Sequence, residues 1–252
     1  MKIVNELTSV HLLEFSDSDY SGMAYKYKGP NINTFDENKR IAMSLPQDYC
    51  IQIINEGGFS IINKIHDSLA QYINDKYILG NFIHELTLAI KSLASVISID
   101  FNLASLRIVD EKYIEKEHPS VSNLYHRDSS SLTLTKTFYG EGALYLDESN
   151  VNREFFVDNS IATHDSLAMI DPKKFEVVGD GMWLLLKGEM GESIDPRNKE
   201  FVAHIRGGHT DYQDMFLGQG LIHRGGRFVD TPIRLVFTFS SYTTKRPYQW
   251  LM

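Results

Sequence analysis

The sequence predicts an α+β domain: a β-barrel core braced by N-terminal helices. Two changes of texture predict it. Between residues 46 and 98 apolar residues recur at helical spacing, and from residue 99 onward short strand-like runs alternate with turns containing glycine, proline and aspartate. Length is the third observation. At 252 residues the chain can bury an ample core without disulfides or structural metals. One domain over 1–252 is expected, with 1–98 mostly helical and packed on the barrel, and 99–252 forming the core.

Residues 1–45 are mixed. Val10–Phe15 reads as a short strand, and Ser16–Asn33, rich in Asp, Ser, Gly, Tyr and Asn, reads as loop. Pro46 suits a first helical turn, and a helix is expected over Asp48–Glu56, carrying Tyr49, Ile51, Ile53 and Ile54 before Gly57-Gly58. Two more helices follow, on Ile61, Ile62, Ile65, Leu69, Tyr72 and Ile73, and on Phe82, Ile83, Leu86, Leu88, Ala89, Ile90, Leu93 and Val96. Strands are then expected at Phe101–Val109, Leu132–Phe138, Ala143–Leu146, Glu154–Val157, Ser166–Ile170, Phe175–Val178, Met182–Lys187, Gly220–His223 and Arg234–Tyr242. Many short strands with frequent turns indicate a barrel or sandwich. Residues 189–219 break the rhythm with Pro196, Gly207-Gly208 and Gly218, as a lid-like insertion would.

Composition excludes several functions. A net charge of −8 opposes a broad grip on nucleic acid or anionic membrane, while leaving room for a local basic pocket. Cys50 is the only cysteine, which rules out an intrachain disulfide and a thiolate metal cluster and fits a reducing, cytoplasmic setting. Glu6 interrupts the N-terminal apolar run, so no signal peptide is expected, and no stretch reaches the roughly 20 apolar residues of a membrane span.

The stretch Leu124–Leu146 carries the chemistry. His126-Arg127-Asp128 sets an imidazole and a carboxylate two residues apart, and in extended chain both point to the same side. A third ligand is expected far downstream, on a strand that returns beside the first. His223, ending GQGLIH before a glycine turn, fits best. Two histidines and one carboxylate suit non-haem iron(II), with positions left open for co-substrate and oxygen. Eleven residues later Arg234 enters an apolar final strand, where an arginine is costly unless paired. A guanidinium there suits the distal carboxylate of 2-oxoglutarate. Thr238 and Ser240 share its face by alternation and are candidate co-substrate contacts. Thr133, Thr135 and Thr137 form a second polar row.

Rivals exist. His209-Thr210-Asp211 repeats the pattern inside the glycine-rich insertion with no strand after it. His164 and His204 compete as third ligand, and His118 and His11 offer no pattern. His66 and His84 lie in predicted helices and read as surface or packing residues.

The arrangement resembles the Fe(II)/2-oxoglutarate-dependent dioxygenases over roughly residues 101–245. The likeness rests on His126-x-Asp128, Tyr139-Gly140-x-Gly142, Trp183–Gly188 (WLLLKG), Gly220-Leu221-Ile222-His223 and Arg234. It implies a double-stranded β-helix, a jelly-roll of the cupin type. It implies iron held by His126, Asp128 and His223, 2-oxoglutarate held by Arg234, and O2 as the oxidant. Chain size, the helical front and the His-to-Arg interval are similar to the small bacterial enzymes that hydroxylate or halogenate free amino acids such as lysine. In halogenating members a glycine replaces the carboxylate, so Asp128 favours hydroxylation. The long stretch 189–219 departs from the pattern.

Candidate substrate contacts are Arg107, Glu111, Tyr125, Arg127, Ser129, Arg206 and Asp211, and acidic groups among them would suit an amine-bearing substrate. Trp250, near the C-terminus, suits a packing role first and a cap on the barrel second. The expected partner is an amino-acid-like small molecule, with no nucleic acid and no membrane. The helical half is compatible with a homodimer interface or with a bracing role alone. Two other classes compete: a non-oxygenase cupin that senses a small molecule or catalyses isomerisation or hydrolysis with a metal, and a structural sandwich whose histidines are incidental.

Overall fold

A computed structural model of the chain describes residues 1–4, 11, 14–15, 19–28, 30–95, 99, 101–114, 123–128, 130–159, 161–188, 219–228 and 230–242. Ten strands and six α-helices fall among them. The strands are β1 (Lys2–Val4), β2 (Gly22–Tyr25), β3 (Cys50–Ile54), β4 (Phe101–Asp110), β5 (Leu132–Tyr139), β6 (Leu144–Tyr145), β7 (Glu176–Val177), β8 (Trp183–Lys187), β9 (His223–Arg224) and β10 (Ile233–Tyr242). The helices are α1 (Phe35–Ser44), α2 (Gly58–Leu69), α3 (Lys76–Ala94), α4 (Glu111–Ile114), α5 (Arg153–Asp158) and α6 (Asp165–Ala168).

Seven strands form one sheet in the order β1-β2-β8-β5-β10-β4-β3, and three form a smaller sheet in the order β7-β6-β9. All neighbours are antiparallel except β1 and β2. Period-two alternation gives the large sheet two different faces. Leu132, Leu134 and Phe138 of β5 share a core with Leu235, Phe237 and Phe239 of β10, Trp183 and Leu185 of β8, and the apolar stripes of α1, α2 and α3. Each side chain of this size fully buried contributes about 1.5 to 3 kcal/mol. The opposite face carries Thr133, Thr135, Thr137, Arg234, Val236 and Thr238, which line a cavity shared with Ala143, His223 and Arg224.

A buried ion pair sits on the core face. Lys136 of β5 ion-pairs with Glu85 of α3, both at most 3% exposed. Trp183 Nε1 donates to the same carboxylate at 2.9 Å. Burial pushes the Lys136 ammonium down from its usual value, and the Glu85 charge opposes this.

The structure corrects several expectations. Residues 48–56 hold strand β3, not a helix. Cys50 pairs with Arg107 and Ile53 with Ala104, so the β-branched run Ile51, Ile53, Ile54 fits the pleated edge of the sheet. The helix of this region is α1 instead. Its start carries a capping box, Thr34 Oγ1 accepting from the Glu37 amide while the Glu37 carboxylate accepts from Thr34 N–H. The front of the chain also supplies three strands of the large sheet beside its helices. Of Val10–Phe15, the described residues His11, Glu14 and Phe15 are helical, not extended. Glu154–Val157 is helix α5 and most of Ser166–Ile170 is α6. There the apolar residues pack as a small cluster, Phe156 and Ala168 against Tyr125, Leu146 and Ile222. The run Gly220–His223 enters its ladder only at His223. The insertion at 189–218, with His204, Arg206, His209 and Asp211, lies outside the described residues, as do His118, Ser129 and Trp250.

Candidate metal centre

The site begins with a backbone pairing. His126 and His223 face each other across an antiparallel bridge, each amide donating to the other's carbonyl, at 2.9 and 3.0 Å. That pairing puts two residues 97 positions apart side by side, with ring centroids 4.3 Å apart. Asp128, two residues beyond His126, joins them. Its Oδ1 lies 3.3 Å from His126 Nε2 and 3.7 Å from His223 Nε2. Among the described residues these three alone form a group able to hold a metal ion.

The tautomers follow from the chain. His126 Nδ1 lies 2.8 Å from the Leu124 carbonyl, and His223 Nδ1 lies 3.1 Å from the Leu221 carbonyl. A carbonyl only accepts, so each Nδ1 carries the proton and donates. In the neutral ring Nε2 then presents a lone pair toward the Asp128 carboxylate. Three acceptors facing one another repel unless a proton or a cation lies between them. Two atoms each about 2.1 Å from one ion at right angles stand about 3 Å apart, close to the separations seen here. The donor set and its spacing fit a divalent ion.

Electrostatics agree with this arrangement. Burial alone would raise the Asp128 carboxyl, but the two imidazoles and the Thr133 hydroxyl outweigh it and hold the group well below the usual carboxylate range. Burial, reinforced by His126, pushes His223 down to about 4, with Asp128 and the Leu221 carbonyl opposing. His223 is thus neutral, and ready to ligate, at physiological pH.

Glycine brings the loop close. A Cβ on Gly188, which follows β8, would stand 2.0 Å from the Ser130 carbonyl oxygen and 2.7 Å from that of Asp128. Only a residue without a side chain lets the Asp128 segment lie there.

The triad opens on a cavity of about 230 Å³ lined by Arg107, Val109, Thr133, Thr135, Thr137, Ala143, Arg224, Gly225, Arg234, Val236 and Thr238 as well as its own three residues. Arg234 is 2% exposed and has no ion pair among the described residues. Its Nη2 reaches Asn123 Oδ1 at 3.4 Å, its guanidinium lies over the Phe228 ring, and its Nε has no partner. Burial, then Arg107 and Arg224, push its pKa down to about 10. An isolated buried guanidinium is costly, and an entering carboxylate relieves it. Gly140 makes room for it. Its φ is 89°, and a Cβ there would stand 2.6 Å from Arg234 Cγ.

The other candidates fall out as follows. Thr238 lines the cavity; Ser240 lies further along the same face, 3.4 Å from Thr133 Oγ1, and is not in the wall. Arg107 lines the cavity. Glu111 is exposed at the start of α4, while Tyr125 and Arg127 are buried outside the cavity wall. His164 is exposed at the N-cap of α6 and does not belong to the triad. Sequence reasoning passed over Arg224, which lines the cavity and pairs with Asp165 at 3.2 Å. Its position directly after a candidate ligand in a two-residue strand was the signal available.

No protein-family model and no curated protein matches the sequence. Among solved structures the chain is similar to a full-length Neurospora crassa protein in complex with alpha-KG and 5-formyluracil, at 12% identity over 93% of this chain and 77% of that one, with a TM-score of 0.41. It is also similar to HygX from Streptomyces hygroscopicus with nickel and 2-oxoglutarate bound, at 11% identity over 92% and 86%, with a TM-score of 0.36. A third is the non-heme iron oxygenase OrfP in complex with Fe, at 12% identity over 94% and 78%, with a TM-score of 0.37. These likenesses are loose, and the functional reading stands on the chain's own residues.

Proposed function

We propose that the chain is an Fe(II)- and 2-oxoglutarate-dependent oxygenase that hydroxylates a C–H bond of a small molecule, best a free amino acid or a derivative. On this reading the two sheets are the halves of a double-stranded β-helix, and all 252 residues work as one domain in a reducing, cytoplasmic setting. One observation carries the proposal: a His-Asp-His triad opens on the same cavity as a buried arginine that has no carboxylate partner among the described residues.

The roles follow from the geometry. His126, Asp128 and His223 hold iron from one side through Nε2, a carboxylate oxygen and Nε2, leaving the cavity side free. Arg234 receives the distal carboxylate of 2-oxoglutarate, with Thr238 beside it as a hydroxyl donor. Once bound, iron and 2-oxoglutarate supply the oxidising chemistry, in which O2 is consumed and succinate and carbon dioxide are formed. The chain's own part is to orient one C–H bond and keep the cavity dry. Asp128 keeps the third ligand position filled, which supports hydroxylation over halogenation. No helix among the described residues is long and apolar enough to cross a membrane.

The test is a succinate-release screen of iron-loaded protein over free amino acids. Substrate-stimulated succinate is expected. Arg234→Gln should raise the 2-oxoglutarate requirement on the order of 10- to 100-fold while iron content holds. Iron-loaded wild type that neither binds 2-oxoglutarate nor forms succinate contradicts the proposal.

A further inference from the structure

The cavity wall holds three guanidiniums, and the Asp128 ligand is its only carboxylate among the described residues. Two of the three have an assigned use. Arg224 is neutralised by Asp165, its Nη1 lying 3.2 and 3.3 Å from the two carboxylate oxygens, and it rests over the Tyr125 ring. Arg234 takes the distal carboxylate of 2-oxoglutarate on the reading above.

Arg107 is left over. It stands on β4 between Val236 of β10 and Cys50 of β3, on the same face as Val109. Arg234 pairs with Val109, so the two arginines sit on adjacent strands, one diagonal step apart, and both reach the cavity. Diagonal neighbours of this kind start about 7 to 8 Å apart, within mutual reach of long side chains. Among the described residues Arg107 makes no hydrogen bond and no ion pair. Burial pushes it below the ordinary arginine value, and its charge in turn counts against Arg234. Two cations facing one cavity call for two anions. 2-Oxoglutarate brings one to Arg234, since its other carboxylate belongs to the metal. A second anion must come from elsewhere.

We propose that Arg107 is the substrate anchor and that the substrate carries a carboxylate, gripped by the Arg107 fork while its C–H bond faces the metal. This rests on the oxygenase reading. A planar carboxylate matches the guanidinium bidentately, and the small cavity, shared with the co-substrate, limits the ligand to a compact acid. The expectation of an amine selected by acidic groups has no support in the described wall, which offers guanidiniums instead.

The experiment is anaerobic calorimetric titration of protein loaded with Fe(II) and 2-oxoglutarate. The probes are the free amino acids, each beside its primary amide. At least one acid should bind on the order of 10- to 100-fold tighter than its amide. Arg107→Met should erase that preference while 2-oxoglutarate affinity stays within about twofold, and Arg107→Lys should restore part of it. An unchanged circular dichroism spectrum shows that each variant folds. Three results overturn the assignment: acids and amides binding alike, no acid binding at all, or Arg107→Met weakening 2-oxoglutarate as Arg234→Gln does. Wild type that takes up neither iron nor 2-oxoglutarate sinks the oxygenase reading instead. The same acid and amide pairs titrated into unloaded protein then decide Arg107 separately, an acid preference lost in Arg107→Met supporting the anchor and its absence overturning it.

Discussion

Two imidazoles that each give the Nδ1 proton to a carbonyl two residues back have little freedom in what Nε2 does. In His126 and His223 that nitrogen faces a carboxylate oxygen, and only a shared proton or a cation reconciles the three. The ion-free protein therefore carries a measurable strain with pH. His223 is held down to about 4 from an ordinary 6.5, chiefly by burial. Between those values the unfolded chain binds a proton that the folded chain does not. Stability is full above about pH 6.5 and falls toward pH 4, by about 3 kcal/mol in total. Denaturant midpoints of ion-free protein across that window should show the decline, and His223→Gln should flatten it. An equal slope in wild type and variant would place its origin elsewhere. The grouping of His126 with Asp128 was legible in the sequence, because His-x-Asp sets both side chains on one side of an extended chain. Arg107 was legible only as one of seven candidate substrate contacts, with nothing to single it out. That it has no ion pair among the described residues is a property of the packed cavity, which no local pattern encodes.

At the scale of elements, β5 and β10 carry the design. Leucines and phenylalanines on one face join the helices, and threonines and Arg234 on the other line the cavity. That alternation was readable, and so were the long strands. The misread segments were short apolar runs. Residues 48–56 have a composition that a helix or a strand tolerates, and pairing with β4 decided it. The opposite happened at 153–158, where the run pairs with no strand among the described residues and closes into α5. The start of α1 carried a legible signal, Thr34-x-x-Glu37, that the apolar pattern obscured. Gly188 shows how an element end serves the site. Gly188→Ala would drive a methyl against the Ser130 and Asp128 carbonyls and displace the carboxylate. Metal affinity should fall on the order of 10- to 100-fold while far-ultraviolet circular dichroism is kept. Unchanged affinity in a competitive metal titration would show that this contact does not position Asp128.

Across the whole molecule, three layers divide the labour. The helices and one sheet face make the apolar core, including the buried Lys136–Glu85 pair. The second face and the small sheet enclose a cationic pocket in a chain whose net charge is −8. That contrast draws anions to one place in an otherwise acidic protein. The triad and Arg234 come from β9, β10 and the segment before β5, so their meeting depends on topology that spacing alone suggests but does not determine. The most direct test of the account is an anaerobic Fe(II) titration in the presence of 2-oxoglutarate, followed by visible absorption. A weak charge-transfer band should grow to one iron and one 2-oxoglutarate per chain, and Asp128→Ala and His223→Ala should each abolish it in folded protein. A wild type without the band, or a band that survives both substitutions, would contradict the account.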